Sequence, residues 1–328
     1  MSGRLRWGIL GGASIAVRRV MPAIARSRAG TLYAVASRDR RRAEEIAGRF
    51  GIPHVYGAYE ALLADREVDA VYIPLPNNLH RPWTERAAAA GKHVLCEKPL
   101  GVTAEDAAAM VDACARAGVV LLEAFMYRFH PQIERLQELL RAGAIGDPWL
   151  VRAAFTFGVV ETANIRLEAA LGGGGLLDVG CYCVNISRLI LGEPRTAFAS
   201  ADYERDVDVR LAGALRFPGN QMALVDCGLR TPYRQMCEVV GRDGAVMLPR
   251  PFQPEEEPAE LVICRSRGQP EERVEVAGTN QYVRMIDHFG GVVAGEPARY
   301  PPEEAIANMR VLDALRRAAR TGAPADVG

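Results

Sequence analysis

Short apolar runs alternate with amphipathic stretches through residues 1–125. Arg6–Leu10, Leu32–Ala36, Ala70–Ile73, His93–Cys96 and Val119–Glu123 read as strands. Ile15–Ser27, Arg40–Phe50, Ala58–Ala64, Pro82–Ala90 and Ala104–Ala117 read as helices, the last two ended by Gly91 and Gly118. In Arg40–Phe50 the apolar positions Ala43, Ile46, Ala47 and Phe50 fall on one side. The alternation counts as six strands. Strands alternating with helices imply a parallel sheet with right-handed crossovers, a doubly wound α/β fold.

The pattern changes after Gln132. A helix at Ile133–Ala142 precedes a strand at Leu150–Phe157, and four glycines, Gly172–Gly175, open a helix that runs to Leu191. From Ala197 to Val276 strand-like runs follow one another, separated by Phe217-Pro218-Gly219-Asn220, Gly241-Arg242-Asp243-Gly244 and Arg267-Gly268-Gln269-Pro270. These predict a second α/β domain with a large, mostly antiparallel open sheet, one face covered by the helix after the glycines. Asn280–Ala294 and Glu303–Ala319 complete the chain as helices; Pro251–Pro258 reads as a solvated loop. The expected division is 1–125 and 126–328, with the C-terminal helix 303–320 packing back toward the first domain.

Forty basic and forty acidic side chains cancel over 328 residues, so no net field favours nucleic acid or an anionic membrane. No run is read as a membrane span of about 18 apolar residues. The apolar run after Arg6 breaks at Gly11-Gly12, so no export signal is expected. Seven scattered cysteines and five histidines suggest neither a disulfide framework nor a metal site. A reducing cytoplasm is the expected location. Thirty-eight of the basic residues are Arg and two are Lys, Lys92 and Lys98. Each lysine has either survived by chance or does what a guanidinium cannot, since Lys offers a compact ammonium with a tunable pKa.

Gly11-Gly12-Ala13-Ser14-Ile15-Ala16 joins the first strand to the first helix, the place for a dinucleotide fingerprint. The match is partial, with Ala13 and Ala16 in place of the second and third glycines, and a plain βα turn is the alternative. Contacts are expected from Gly11, Ala13, Ser14 and Ile15. The second strand ends at Ser37-Arg38, with Arg41 and Arg42 beyond, where an NAD site would carry a carboxylate. Hydroxyl and guanidinium suit a 2′-phosphate, so NADP(H) is expected on Ser37, Arg38 and Arg42. Asp39 reads as the cap of the next helix. Pro74-Leu75-Pro76-Asn77-Asn78-Leu79-His80 and Glu97-Lys98-Pro99 leave two strands at their carboxyl ends, the edge where open α/β sheets bind ligands. Leu75, Pro76, Asn78, His80, Glu97 and Lys98 are the expected contacts there, although a His at a helix start is often structural. Lys92 precedes its strand at the opposite end. Lys98 is therefore the functional candidate, and Lys92→Arg is expected to be silent.

Asp178 and Tyr182 lie four residues apart on the helix after the glycines and share a face, which Asn185 extends. The alternatives are a solvated stripe and a stripe facing a cleft; the apolar remainder of the helix favours the cleft. The glycines would let the backbone approach another body closely, and Arg166 is placed to reach the same cleft.

The glycine turn, Glu97-Lys98-Pro99 and Gly173-Gly-Gly-Leu-Leu-Asp178-Val-Gly-Cys-Tyr182 together resemble the glucose–fructose oxidoreductase and inositol dehydrogenase family. The resemblance spans nearly the whole chain. It implies a Rossmann domain, a second domain whose open sheet forms dimer or tetramer contacts, and a dehydrogenase of sugars or related polyols. Tyr182, where several members carry His, resembles the branch with NADP-dependent xylose dehydrogenase, dihydrodiol dehydrogenase and sugar 3-ketoreductases. On this reading Tyr182 exchanges the proton, Lys98 supplies the cation, Asp178 orients substrate or Lys98, and Arg166 helps bind substrate. Oxidation of an aldose at its anomeric carbon is the first expectation. Keto-sugar reduction and trans-dihydrodiol oxidation are alternatives, and a silent NADP-sensing protein is the non-enzymatic one.

Overall fold

The computed structural model describes residues 4–161, 163–265 and 270–328. It divides into two units, 1–126 with 280–306, and 127–279 with 307–328.

In the first unit β1 (Leu5–Leu10), β2 (Gly30–Ala36), β3 (His54–Tyr56), β4 (Ala70–Ile73), β5 (His93–Cys96) and β6 (Leu121–Glu123) form one parallel sheet. Their order is β3-β2-β1-β4-β5-β6. The sixth strand, counted but not placed by the apolar pattern, is β3: its three residues are too few to show a period. The chain order reverses between β1 and β4, which makes the carboxyl ends of those strands the crevice for a ligand.

A π-helical turn, Ala16–Val20, leads into α1 (Met21–Arg26). The next helices are α2 (Arg40–Phe50), α3 (Tyr59–Ala64), α4 (His80–Ala89) and α5 (Ala104–Ala117). Asp39 caps α2 as expected, accepting from the N–H groups of Arg41 and Arg42, and Gly51 ends it in the left-handed region.

The second unit carries α6 (Pro131–Arg141), β7 (Pro148–Gly158), a π-helical turn at Leu176–Gly180 and α7 (Cys181–Leu191). Then come β8 (Thr196–Glu204), β9 (Val207–Arg216), β10 (Met222–Gly228), β11 (Arg230–Gly241), β12 (Ala245–Leu248), β13 (Ala259–Cys264) and β14 (Glu272–Val276). Helix α8 (Gln281–Val293) belongs to the first unit, α9 (Glu303–Thr321) runs from the first unit's residues into the second's, and β15 (Ala325–Asp326) ends the chain. The sheet has nine strands in the order β14-β13-β12-β11-β7-β10-β9-β8-β15. All its pairs are antiparallel except β7 with β10. Helix α7 and its π turn pack on β7 and β10, the helix-covered face expected from the sequence. Of the three expected turns, two join β9 to β10 and β11 to β12; residues 267–269 of the third lie outside the described residues.

Three local expectations change. A single linear cut misses that residues 280–306 join the first unit, because Asp287 accepts from Ser27 Oγ at 2.6 Å and Phe289 lies 4.9 Å from Trp7. The loop 251–258 is not solvated throughout: Phe252 is fully buried among aromatic rings. Residues 169–191 are long and apolar enough to cross a membrane, against the expectation from the sequence, yet 83% of an 18-residue apolar window within them is buried, as in a core helix.

Candidate active site

In the first unit the turn after β1 is built for close approach. Gly11 has φ +104°, a conformation L side chains rarely adopt. The basic end of β2 closes over the same turn. Arg42 Nη2 donates to the Gly12 carbonyl at 2.7 Å, and burial raises the pKa of the Tyr59 hydroxyl, which lies beside Gly11, while the Arg38 charge draws it down. Arg38 remains exposed, while Asp39 is occupied at the start of α2. Anionic oxygens at this turn would thus meet guanidinium groups and a helix start rather than a free carboxylate. These residues fit a phosphorylated dinucleotide.

The two loops at the carboxyl ends of β4 and β5 are tied together by His80. One ring nitrogen lies 2.8 Å from Leu75 O and the other 2.9 Å from Pro99 O, and the residue is fully buried. Burial also pulls its pKa down, against the bonds to those carbonyls. His80 is therefore a strut between the loops and not the cofactor contact expected of it, because both polar atoms are engaged by the protein. Glu97 is held by the buried Tyr72 hydroxyl, which donates to Glu97 Oε1 at 2.5 Å. Its other oxygen accepts from the Lys98 N–H at 3.3 Å. Lys98 is half-buried, as are Leu75 and Pro76, and Asn78 is exposed.

Lys92 departs from expectation. It is buried, and its Nζ donates to Asp65 O at 2.6 Å and Val68 O at 2.8 Å, closing the loop after α3. Burial lowers its pKa.

In the second unit, Arg166 Nε donates to Asp178 Oδ2 at 2.6 Å. The Asp178 carboxylate raises the pKa of Arg166, and Tyr182 acts in the same direction, so the three residues share one neighbourhood. Tyr182 is 4% exposed. Its ring lies 5.3 Å from Phe252, 5.5 Å from Phe155 and 5.8 Å from Tyr127, with Phe155 and Phe252 stacked. This aromatic bed fixes the phenol in place. Sequence reasoning missed it, for its members come from three separate segments and no spacing links them.

Asn185 continues the Asp178–Tyr182 side, where Tyr127 touches both it and Tyr182, but its amide is spent inside the fold and not on a cleft. It is fully buried and accepts from Tyr127 Oη and Arg128 Nε, each at 2.6 Å, while donating to Asn308 Oδ1 at 3.3 Å. The glycine run also has a different purpose from the one expected. A Cβ on Gly173 would strike the backbone of Arg166 and Glu168, and one on Gly174 would strike Asp208 Oδ1. The close approach is to the chain itself.

The sequence matches the family model described as "Oxidoreductase family, NAD-binding Rossmann fold" over residues 5–125 and "GFO/IDH/MocA C-terminal domain" over residues 133–247. The chain belongs to the GFO/IDH/MocA oxidoreductases. Within the family it is 41% identical over 327 residues to D-xylose 1-dehydrogenase (NADP(+)) 2 of Haloferax volcanii, covering 98% of this chain and 100% of that protein. It is 37% identical to a dTDP-3,4-didehydro-2,6-dideoxy-alpha-D-glucose 3-reductase of Streptomyces violaceoruber, covering 96% and 95%. A crystal structure of a 3-ketoreductase from Actinomadura kijaniata in complex with NADP and TDP-benzene superposes with TM-score 0.92 at 33% identity, covering 96% of this chain and 98% of that one. The same ketoreductase has been solved with one tyrosine replaced by Phe and with one lysine replaced by Ala or Glu. The family accounts for the fold of both units and makes this chain a dehydrogenase or reductase.

Proposed function

We propose that this protein is an NADP(H)-dependent oxidoreductase of a sugar or related polyol, oxidising an aldose at its anomeric carbon. One observation carries the assignment. Tyr182 sits beside an Arg166–Asp178 pair and is held by three aromatic rings, in a chain 41% identical over nearly its whole length to an NADP-dependent xylose dehydrogenase. Lys98 and Tyr182 are also separated by the same number of residues as the lysine and tyrosine replaced in the ketoreductase.

NADP, when bound, accepts the hydride in oxidation and, as NADPH, returns it in reduction. Gly11, Ala13, Ser14 and Ile15 provide the turn for the pyrophosphate. Ser37, Arg38 and Arg42 provide hydroxyl and guanidinium donors for the 2′-phosphate, while Leu75, Pro76, Asn78 and Glu97 line the exit loops. As hydride leaves the sugar carbon, the proton of its hydroxyl passes to the Tyr182 phenolate oxygen, which the Lys98 charge favours; in reduction the Tyr182 phenol gives it back. Lys98 supplies positive charge that favours the oxyanion character of the reacting oxygen. Asp178 orients the substrate hydroxyls, with Arg166 holding its carboxylate in place.

Reduction of a keto-sugar uses the same residues in the opposite sense. Four 3-reductases at 34–37% identity to this chain favour it as the second reading. The test is a panel of D-xylose and other aldoses, inositols, dihydrodiols and keto-sugars, followed by absorbance of the reduced cofactor with NADP or NAD. Turnover of aldoses with NADP supports the proposal. Turnover of keto-sugars alone selects the reductase, and turnover of none removes both readings. We place the protein in the cytoplasm, in keeping with seven free cysteines of which six are buried.

The working molecule is proposed to be a homodimer or a homotetramer. One face of the nine-stranded sheet carries Phe198 and Leu224, each at least 40% exposed and both in register with Ala214. They flank a groove of ≈ 640 Å³ lined by Thr156, Asp226 and Arg234. Apolar and charged side chains on one broad sheet face suit an isologous contact.

A further inference from the structure

The helix that carries Asp178 and Tyr182 begins at the glycine run, and its first N–H groups have no helical carbonyl to meet. Asp208, on β9, supplies the acceptor. Leu176 N–H donates to Asp208 Oδ2 at 2.6 Å, and the carboxylate lies close against the Gly175 backbone. Gly174, at φ +117°, leaves the space this carboxylate occupies. The Asp178 N–H then donates to Gly174 O at 3.0 Å, which continues the chain of contacts into the site.

Keeping an ionised group there is expensive. Asp208 is 7% exposed, and burial pushes its pKa from 3.8 up to about 6, against the bond from Leu176 and the charge of Arg316 on α9. The other titratable group facing it is the Cys227 thiol of β10, itself held neutral by burial. For a carboxyl whose folded pKa lies above its unfolded one, the stabilisation belongs to the protonated form. It is lost as pH rises from about 4 through about 6. At neutral pH the fold would be more stable with a neutral residue here.

We propose, on the reading of Tyr182 as the acid–base group, that Asp208 is a positioning residue whose carboxylate holds the helix start and so sets where Asp178 and Tyr182 meet the substrate. It touches neither substrate nor cofactor. Protonation replaces an acceptor oxygen with a hydroxyl at the helix start, where the Leu176 N–H needs an acceptor, and the helix start loosens.

The test compares wild type with Asp208→Asn, which keeps the shape and mimics the protonated acid. Turnover with NADP and D-xylose (or the fastest sugar of the panel above) is measured from pH 5 to pH 8, beside the thermal midpoint at each pH. The expected wild-type-to-variant ratio of kcat is about tenfold or more at pH 8, falling toward one by pH 5; Tyr182's own titration cancels in that ratio. The variant's Tm should equal or exceed that of wild type at pH 8, with the difference shrinking as pH falls. KM for NADP should not change. A kcat ratio near one throughout, a ratio independent of pH, or a joint loss of Tm and kcat overturns the proposal. Tyr182→Phe is assayed in parallel. If it is fully active, the acid–base reading falls and the positioning role with it. If it is inactive while Asp208→Asn behaves as wild type, only the positioning role falls.

Discussion

With thirty-eight arginines and two lysines, both places that keep an ammonium have a physical reason to do so. Lys92 fills a buried position where its compact ammonium bonds two carbonyls, a geometry a planar guanidinium does not reproduce atom for atom. Lys92→Arg should therefore cost about 1–3 kcal/mol of stability, the scale of buried bonds left unmade, with kcat unchanged in the protein that remains folded. A thermal melt beside a turnover assay checks this. Lys98→Arg should do the reverse. Stability and NADP affinity stay near wild type while single-turnover hydride transfer falls by at least about a hundredfold, or about 2.7 kcal/mol. Two variants with matching profiles would mean that lysine scarcity does not mark function. Tyr182→Phe keeps the ring among Phe155, Phe252 and Tyr127, so folding should hold while turnover drops about a hundredfold or more across the pH range. Arg38→Ala should weaken NADP binding by about 1.5–3 kcal/mol and leave NAD nearly untouched, as titration calorimetry with the two cofactors would read.

Both helices nearest the expected chemistry begin with a π-helical turn, Ala16–Val20 and Leu176–Gly180. Such turns are uncommon and cluster at functional sites. At Leu176–Gly180 the wider turn lies between the glycine run and α7, so a change at the glycines is felt along the helix. Gly174→Ala meets two obstacles, a backbone conformation L residues avoid and the Asp208 carboxylate in the way of its Cβ. It should lower stability by about 1–3 kcal/mol, measured by denaturant unfolding, and reduce turnover of the folded fraction. Gly192→Ala is the control. Its φ is also positive but nothing lies near its Cβ, so only the strain is paid.

For the whole molecule, the sheet face with Phe198 and Leu224 is the place to interfere with assembly. A double change, Phe198→Asp with Leu224→Asp, puts two charges into an apolar contact and should yield monomers in sedimentation at micromolar concentration. Wild-type monomers under the same conditions would remove the proposed interface altogether. The neutral net charge adds no long-range repulsion between copies.

What the sequence determined by itself is local. Strand–helix alternation, the Asp39 cap, the turns between β9 and β10 and between β11 and β12, and the Asp178–Tyr182 face each depend on neighbours within a few positions, where propensity and period act directly. Strand β3 was missed at the same scale because three residues carry no period. The tertiary structure alone decided which polar groups face ligand and which are consumed by the fold. His80 had the right loop and the wrong duty, since Pro99 O reaches it from 19 residues away. Asn185 had the right spacing but is buried by Tyr127 and Arg128 from nearly 60 residues upstream. Phe252 stood in an apparently solvated loop, and Asp208 stood 32 residues from the helix start it caps. Such pairings arise when the sheet brings distant segments together, and no one-dimensional pattern encodes which buried donor will find which acceptor.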